Sequence, residues 1–236
     1  MATFDKLKIK KVLTPVVKAA YTSQDSESDI YRNTLDIFSA SLDSAIKGIS
    51  REEWLIQEKQ RQVQKTLQND IGALHQSILG TLDGVENLGT GAIVDLKSET
   101  KHFIAEIKNK HNTTKGNHKV AIYDDLEKVL SNCDDPKTVG YYVEILPPNG
   151  KAYNKPFIPS DNKVKEKRLT NERIRQIDGQ TFYAEVTGNP HALRELYELL
   201  PELCVEILQE EYGLKRNASD YKNMEDFDKI YGSKKD

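Results

Sequence analysis

Gly91-Ala-Ile-Val-Asp95-Leu-Lys-Ser-Glu-Thr-Lys-His-Phe-Ile-Ala-Glu106-Ile-Lys108 is the stretch whose reading decides the fold. Residues 92 to 97 and 102 to 109 are apolar enough, and short enough, for two strands joined by a polar turn at Ser98 to Lys101. Alternation in the second strand puts Phe103, Ala105 and Ile107 on one face. His102, Ile104, Glu106, Lys108 and Lys110 share the other. Asp95 interrupts the first apolar strand, and Gly89 and Gly91 before it permit a tight turn that delivers it.

On either side the pattern changes. Upstream, a helix is expected over 29 to 47, with Tyr31, Leu35, Phe38, Leu42 and Ile46 at helical spacing and Gly48 as its stop. Ser50-Arg-Glu-Glu53 is a capping box that opens a long helix from 51 to 79. Val63, Leu67, Ile71, Leu74 and Ile78 form its inward stripe, and Gly80 stops it. Downstream, a helix is read at 119–130, a strand at 139–146, a second strand at 180–186, and two helices near 190–200 and 202–211. The fold class is therefore α/β: a mixed sheet flanked by helices, with a helical N-terminal section. A single domain over 1–236 accommodates this, as a helical section 1–80, a sheet-bearing core 87–213 and a charged arm 214–236.

The chain has 236 residues, a formal net charge of -3, mean hydropathy of -0.64 and two cysteines. No apolar run is long enough to span a bilayer, and the N-terminus has basic residues without an apolar signal core. Cys133 and Cys204 make no ligand cluster or disulfide framework, so they read as thiols of a reducing compartment, the cytoplasm. The overall charge excludes only a wholly basic coat protein. Its distribution is uneven: five lysines against one acid from Lys101 to Lys119, and six basic residues against two acids from Lys163 to Arg175. Two solvated faces, or two patches that hold a polyanion, fit equally.

Phosphodiester hydrolysis needs charge neutralised at phosphorus and a water made nucleophilic. Magnesium does both with one or two carboxylates plus waters. Asp95 and Glu106 are candidates for those carboxylates, with the Ile107 carbonyl as a further oxygen. Lys108 would sit beside the attacking water, to orient it, lower its pKa or take its proton. The same spacing also fits another phosphate enzyme or binder, or a plain cross-strand charge pair. Lys110, His111, Asn112, Thr114 and Lys115 form a donor-rich loop suited to a DNA backbone. Lys165, Arg168, Arg173 and Arg175 form a second basic group, in which an arginine can read guanine; a helical face anchored by Leu169 and Ile174 is its structural alternative. His111 and His118 lack a third ligand for zinc. His75 reads as a satisfied, partly buried histidine ahead of a catalytic base, and Trp54 as core ahead of a dimer contact. No phosphate-binding glycine loop is present.

Asn87 to Leu96 (NLGTGAIVDL) and Ala105 to Gly116 (AEIKNKHNTTKG) resemble the PD-(D/E)xK nucleases, and more narrowly the small type II restriction endonucleases that cut GGNCC-type or GGWCC-type DNA. Trp54, the run QKTLQNDIGALHQSILG at 64–80, and Thr187 to Leu193 (TGNPHAL) support the resemblance, which covers roughly 30 to 210. Val94 stands where the superfamily pattern has proline. The resemblance implies a restriction-endonuclease-like fold, Mg2+-dependent double-strand cleavage leaving 5'-phosphate and 3'-hydroxyl ends, and a partner methyltransferase. It makes Asp95 and Glu106 metal carboxylates and Lys108 the catalytic lysine. It also implies a further acid from an upstream helix, for which Glu58 is preferred over Glu53 and Glu86. A palindromic site is most simply cut by a two-fold homodimer, to which the helix at 51–79 could contribute. A junction- or damage-specific nuclease and a non-catalytic DNA-binding protein remain the competing readings.

Overall fold

A computed structural model describes residues 3–25, 35–112, 114, 116–161 and 166–232. Its centre is a six-stranded sheet in the order β1-β2-β3-β4-β8-β5. The strands are β1 (Glu86–Asn87), β2 (Leu96–Ser98), β3 (Phe103–Lys110), β4 (Val139–Leu146), β5 (Asn154–Pro156) and β8 (Ile174–Asp178). β1, β2 and β3 are antiparallel neighbours, β3, β4 and β8 run parallel, and β5 returns antiparallel on β8. β6 (Ser160–Asp161) and β7 (Glu166–Lys167) pair separately.

A parallel β3–β4 pair needs a crossover, and α4 (Gly116–Ser131) supplies it. Its Ile122, Tyr123, Leu126 and Leu130 pack on Ile104, Tyr142 and Ile174, one face of the sheet. The other face carries Phe103, Ala105, Ile107, Val143, Ile145 and Ile177. Over it lie α1 (Lys6–Asp25), the C-terminal third of α3 (Arg51–Leu79), α5 (Gly179–Thr187), α6 (Ala192–Tyr212) and α7 (Met224–Tyr231). The alternation expected for the second strand thus assigns its two faces to two separate cores.

α3 has the expected bounds. Ser50 accepts from Glu53 N–H at 3.2 Å while Glu53 accepts from Ser50 N–H at 2.9 Å. Only its two ends are buried, by Trp54 and Glu58 at one and Leu74, Ile78 and Leu79 at the other. Val63, Leu67 and Ile71 stay half-exposed, because the sheet lies under the last turns alone. The preceding helix is shorter than its spacing suggests: α2 spans Ile37–Lys47, capped by Asp36 and Gly48. Tyr31 lies outside the described residues. None of the α2 residues is buried, and Phe38, Leu42 and Ile46 are solvent-exposed rather than core.

Other expectations change for physical reasons. α1 has no counterpart among the expected helices, and it runs through Pro15. Pro15 and Lys11 are exposed, so the carbonyl that loses its donor can meet water, while Ile9, Leu13 and Val17 remain buried on the inner face. Residues 180–186 form a helix and not a strand. Asp178 caps it by accepting from Thr181 N–H at 3.1 Å, and Phe182, Tyr183 and Val186 share one buried side. Ile174 belongs to a strand, not to a helical face. α6 is continuous through Pro201, because its buried stripe from Leu193 through Leu203 to Leu208 outweighs the proline's local cost of about 3 kcal/mol. The charged C-terminal stretch docks through α7, where Phe227 is buried and Tyr231 Oη donates to Ile145 O at 3.0 Å.

Candidate active site

β2 ends at Leu96, and there the edge of β3 opens. Asp95 N–H still donates to Ala105 O at 3.0 Å, and Asp95 O accepts from Leu88 N–H at 3.0 Å. Residues 92 to 95 are therefore a bend and not a strand, entered through left-handed Gly89 and Gly91 with φ of 73° and 95°. Val94, buried at the position before the acid, anchors the bend in the α4-side core. The Asp95 carboxylate accepts from Ile107 N–H at 2.7 Å, filling the ladder position that β2 vacates. A strand residue's N–H and C=O point to the same edge, so the Ile107 carbonyl is turned toward Asp95 as well. Glu106 accepts from Lys108 Nζ at 2.6 Å, both on the α4-side face.

This pair of acids is under-compensated. Burial pushes the Asp95 carboxyl up, although Ile107 N–H and the Lys108 charge pull it back. Burial also raises Glu106, and the neighbouring Asp95 charge raises it further against the pull of Lys108. Two partly buried carboxylates beside one ammonium, with a backbone carbonyl at the same edge, are a hard-oxygen donor set suited to a divalent cation. Among the described residues no group of three His, Cys, Asp or Glu converges as a metal cage, so the remaining ligands of such an ion would be water and substrate oxygen.

The expected helical acid is not brought here. Glu58 is buried beside Trp54 and held by Arg61 at 2.5 Å and Gln62 at 3.0 Å. The helical position near Asp95 is Gln76, which adds the weakest of the pulls that lower its carboxyl. Gln76 stands eighteen positions beyond Glu58 on α3, about 27 Å of helix. Glu53 is engaged by its capping box, and Glu86 is exposed on β1. His75 has its Nδ1 at 2.9 Å from Tyr183 Oη, and burial lowers its imidazole to about 4, a satisfied neutral histidine.

Of the basic candidates, Lys110 lies on the Glu106 and Lys108 face of β3, half-exposed, and Asn112 is exposed just beyond it. His111 N–H donates to Leu146 O at 3.3 Å, and Thr114 is buried beside Tyr142. Lys115 and Lys165 lie outside the described residues. The arginines are placed elsewhere. Arg168 is bidentate on Asp124 at 2.9 and 2.8 Å. Arg173 donates to Leu130 O at the C-terminus of α4 and stands at the start of β8, the opposite end of the parallel strands from Lys108. Arg175 pairs in register with Tyr141 and is clamped by Asn154, on the face covered by α5.

Residues that sequence reasoning passed over fill the active face instead. Glu144, the register partner of Lys108, is 1% exposed. It accepts from Lys119 Nζ at 3.1 Å, Gln176 Nε2 at 2.9 Å and the Tyr153 hydroxyl. Burial opposes its charge, but the Tyr153, Gln176 and Lys119 donors hold its carboxyl below the usual range. The available signal was a lone acid in an apolar strand, as at Asp95.

The Eco47II restriction endonuclease family matches residues 3–209 of the chain. The chain belongs to this family. The Type II restriction enzyme Eco47II of Escherichia coli is 39% identical over 209 residues, covering 86% of this chain and 85% of that protein. The Type II restriction enzyme Sau96I of Staphylococcus aureus is 32% identical over 175 residues, covering 72% of this chain and 66% of that protein. As an Eco47II-family protein, the chain is a PD-(D/E)xK-type nuclease, and the α/β restriction-endonuclease-like fold expected from its sequence is the one observed.

Proposed function

We propose that the chain is a type II site-specific deoxyribonuclease that hydrolyses double-stranded DNA at a GGNCC-type or GGWCC-type site, with Mg2+, leaving 5'-phosphate and 3'-hydroxyl ends. The observation that carries this is Asp95, Glu106 and Lys108 meeting where β2 leaves β3, in a chain that is 39% identical to Eco47II. Asp95, Glu106 and the Ile107 carbonyl would hold the cation. When bound, it supplies charge neutralisation at the phosphate and an acidified water. Ile107 N–H fixes Asp95, so its carboxylate does not have to reorganise. Lys108 orients the attacking water and balances charge building on the phosphate oxygens. Lys110, His111 and Asn112, with Lys115 of the same sequence run, grip the backbone beside the cut, while Thr114 is buried.

The test is digestion of unmethylated phage DNA with Mg2+ or with EDTA, beside Glu106→Ala. A discrete ladder that needs Mg2+ and vanishes in the variant is the expected result. Cutting only at junctions, or binding without cutting, would refute the restriction reading.

The same acids predict a linkage. Their folded carboxyls hold protons more tightly than the unfolded chain does, so the contribution of this pair to metal-free stability is greatest at low pH. It falls as pH rises from the ordinary carboxylate value of about 4 through their raised values. A divalent cation should therefore raise the melting temperature more at pH 8 than at pH 5; an equal rise at both would contradict this.

Two active sites are needed for two DNA strands, and we read the working form as a homodimer. The exposed stripe of Phe38, Leu42 and Ile46 on α2 is the apolar surface that supports a second copy. Leu42→Asp should turn a dimer into a monomer in sedimentation with an unchanged circular-dichroism spectrum; a dimer that survives it would place the interface elsewhere. A cognate methyltransferase shielding host DNA, and residence in the cytoplasm with that DNA, complete the reading. Among the described residues no helix is long and apolar enough to cross a membrane.

A further inference from the structure

The nuclease reading uses Asp95, Glu106 and Lys108, but the polar surface of the sheet continues past them. Glu106, Tyr142, Gln176 and Lys155 are successive register partners on β3, β4, β8 and β5. They form one row across a single face. Glu144 sits one step further along β4, and both of its oxygens are occupied: Oε1 by Lys119, Oε2 by Tyr153 and Gln176. A carboxylate so saturated has little left for a metal.

Two lysines frame it. Lys119 Nζ lies 5.4 Å from the centroid of the Tyr142 ring, and Lys155 Nζ lies 5.2 Å from that of Tyr153. Lys119 keeps 27% of its side chain exposed, and only one of its three ammonium donors is used on Glu144. The buried Tyr142 hydroxyl finds no well-formed hydrogen bond among the described residues, so the row contains a donor still to be satisfied. From Glu106 on β3 to Lys155 on β5 is three strand steps, about 14 Å. That length takes in several phosphates of a DNA strand, whose charges recur every ~3.4 Å of helix axis.

We propose that Glu144 is a positioning residue of the nuclease centre: it holds Lys119 directly, and Lys155 through Tyr153, as the two cations that seat the phosphates flanking the scissile one. This rests on the nuclease reading above. The ion pair fixes a flexible ammonium in the binding position before DNA arrives, so its ordering cost is met in folding. The tyrosine rings hold both cations at the rim, where solvent is displaced by phosphate.

The test uses the full chain and a fluorescent duplex bearing a GGNCC site, titrated in EDTA at several salt concentrations. Lys119→Met and Lys155→Met should each weaken binding and reduce the slope of log K against log salt by about 0.9, while Lys119→Arg retains the slope. Glu144→Gln should lower kcat about tenfold or more with the Mg2+ midpoint unchanged, and melting curves confirm folding of each variant. Unchanged slopes in both methionine variants, with wild type binding normally, would overturn the proposal alone. A displaced Mg2+ midpoint in Glu144→Gln would also overturn it, making Glu144 a metal ligand. Wild type that neither binds nor cuts would remove the nuclease reading as well.

Discussion

Glu106→Gln and Lys108→Met should each cut DNA on the order of a thousandfold more slowly than the parent chain, a loss of about 4 kcal/mol in the barrier. Both groups act where charge changes most, at the phosphate and the attacking water, so neither loss can be recovered by tighter substrate binding. What distinguishes them is stability. Removing the Glu106 charge relieves two buried carboxylates that repel each other, so the metal-free variant should melt about 2–4 °C higher at pH 8, the effect of roughly 1 kcal/mol in a chain this size. Removing Lys108 takes away the ammonium 2.6 Å from Glu106 and should lower the melting temperature under the same conditions. Activity and stability thus move apart in one variant and together in the other. If both variants melt alike, the acids are not the strained pair described; if either cuts normally, it has no part in the chemistry.

The largest structural effect is expected at Gly179, the first residue of α5. A Cβ there would lie 2.6 Å from Ile145 O and 2.7 Å from Ile145 Cα. These are backbone atoms of β4, hydrogen-bonded on both sides, and they cannot swing aside as a side chain would. Gly179→Ala should therefore cost about 3 kcal/mol or more by overpacking, a fall of about 6–12 °C in melting temperature. Because Glu144 precedes Ile145, cleavage should fall as well. Gly72→Ala is the matched control: its Cβ would meet only Asn109 Cβ at 4.0 Å, and a mid-helix alanine should add about 0.5–1 kcal/mol. Equal melting temperatures for the two variants would refute the packing argument.

The chemistry-bearing segment was legible because its signals are local. A capping box sets the start of α3, alternation sorts Glu106 and Lys108 from Phe103, Ala105 and Ile107, and the glycines before Asp95 mark a turn. The residues around that segment were not legible, because their partners are distant in sequence. Glu144 meets Lys119 across 25 positions and Gln176 across 32, and Gln76 comes near Asp95 only through the angle at which α3 crosses the sheet. The same gap explains Arg168, Arg173 and Arg175, whose charges count as a basic patch in sequence but are spent on Asp124, a helix carbonyl and Asn154. Gln180 to Val186 was read by β-propensity where a cap and one buried side decide for helix.

α3 is a single rod with the exposed α2 hairpin at one end and Gln76 at the other. Under the proposed assembly, that makes it a timing device. Tilting such a rod by about 5° at the hairpin swings its far end by about 2 Å, enough to shift Gln76 relative to Asp95 and disturb the metal pocket. A subunit bound alone at a half-site would then hold its metal poorly, and the two strands of a site would be cut in step or not at all.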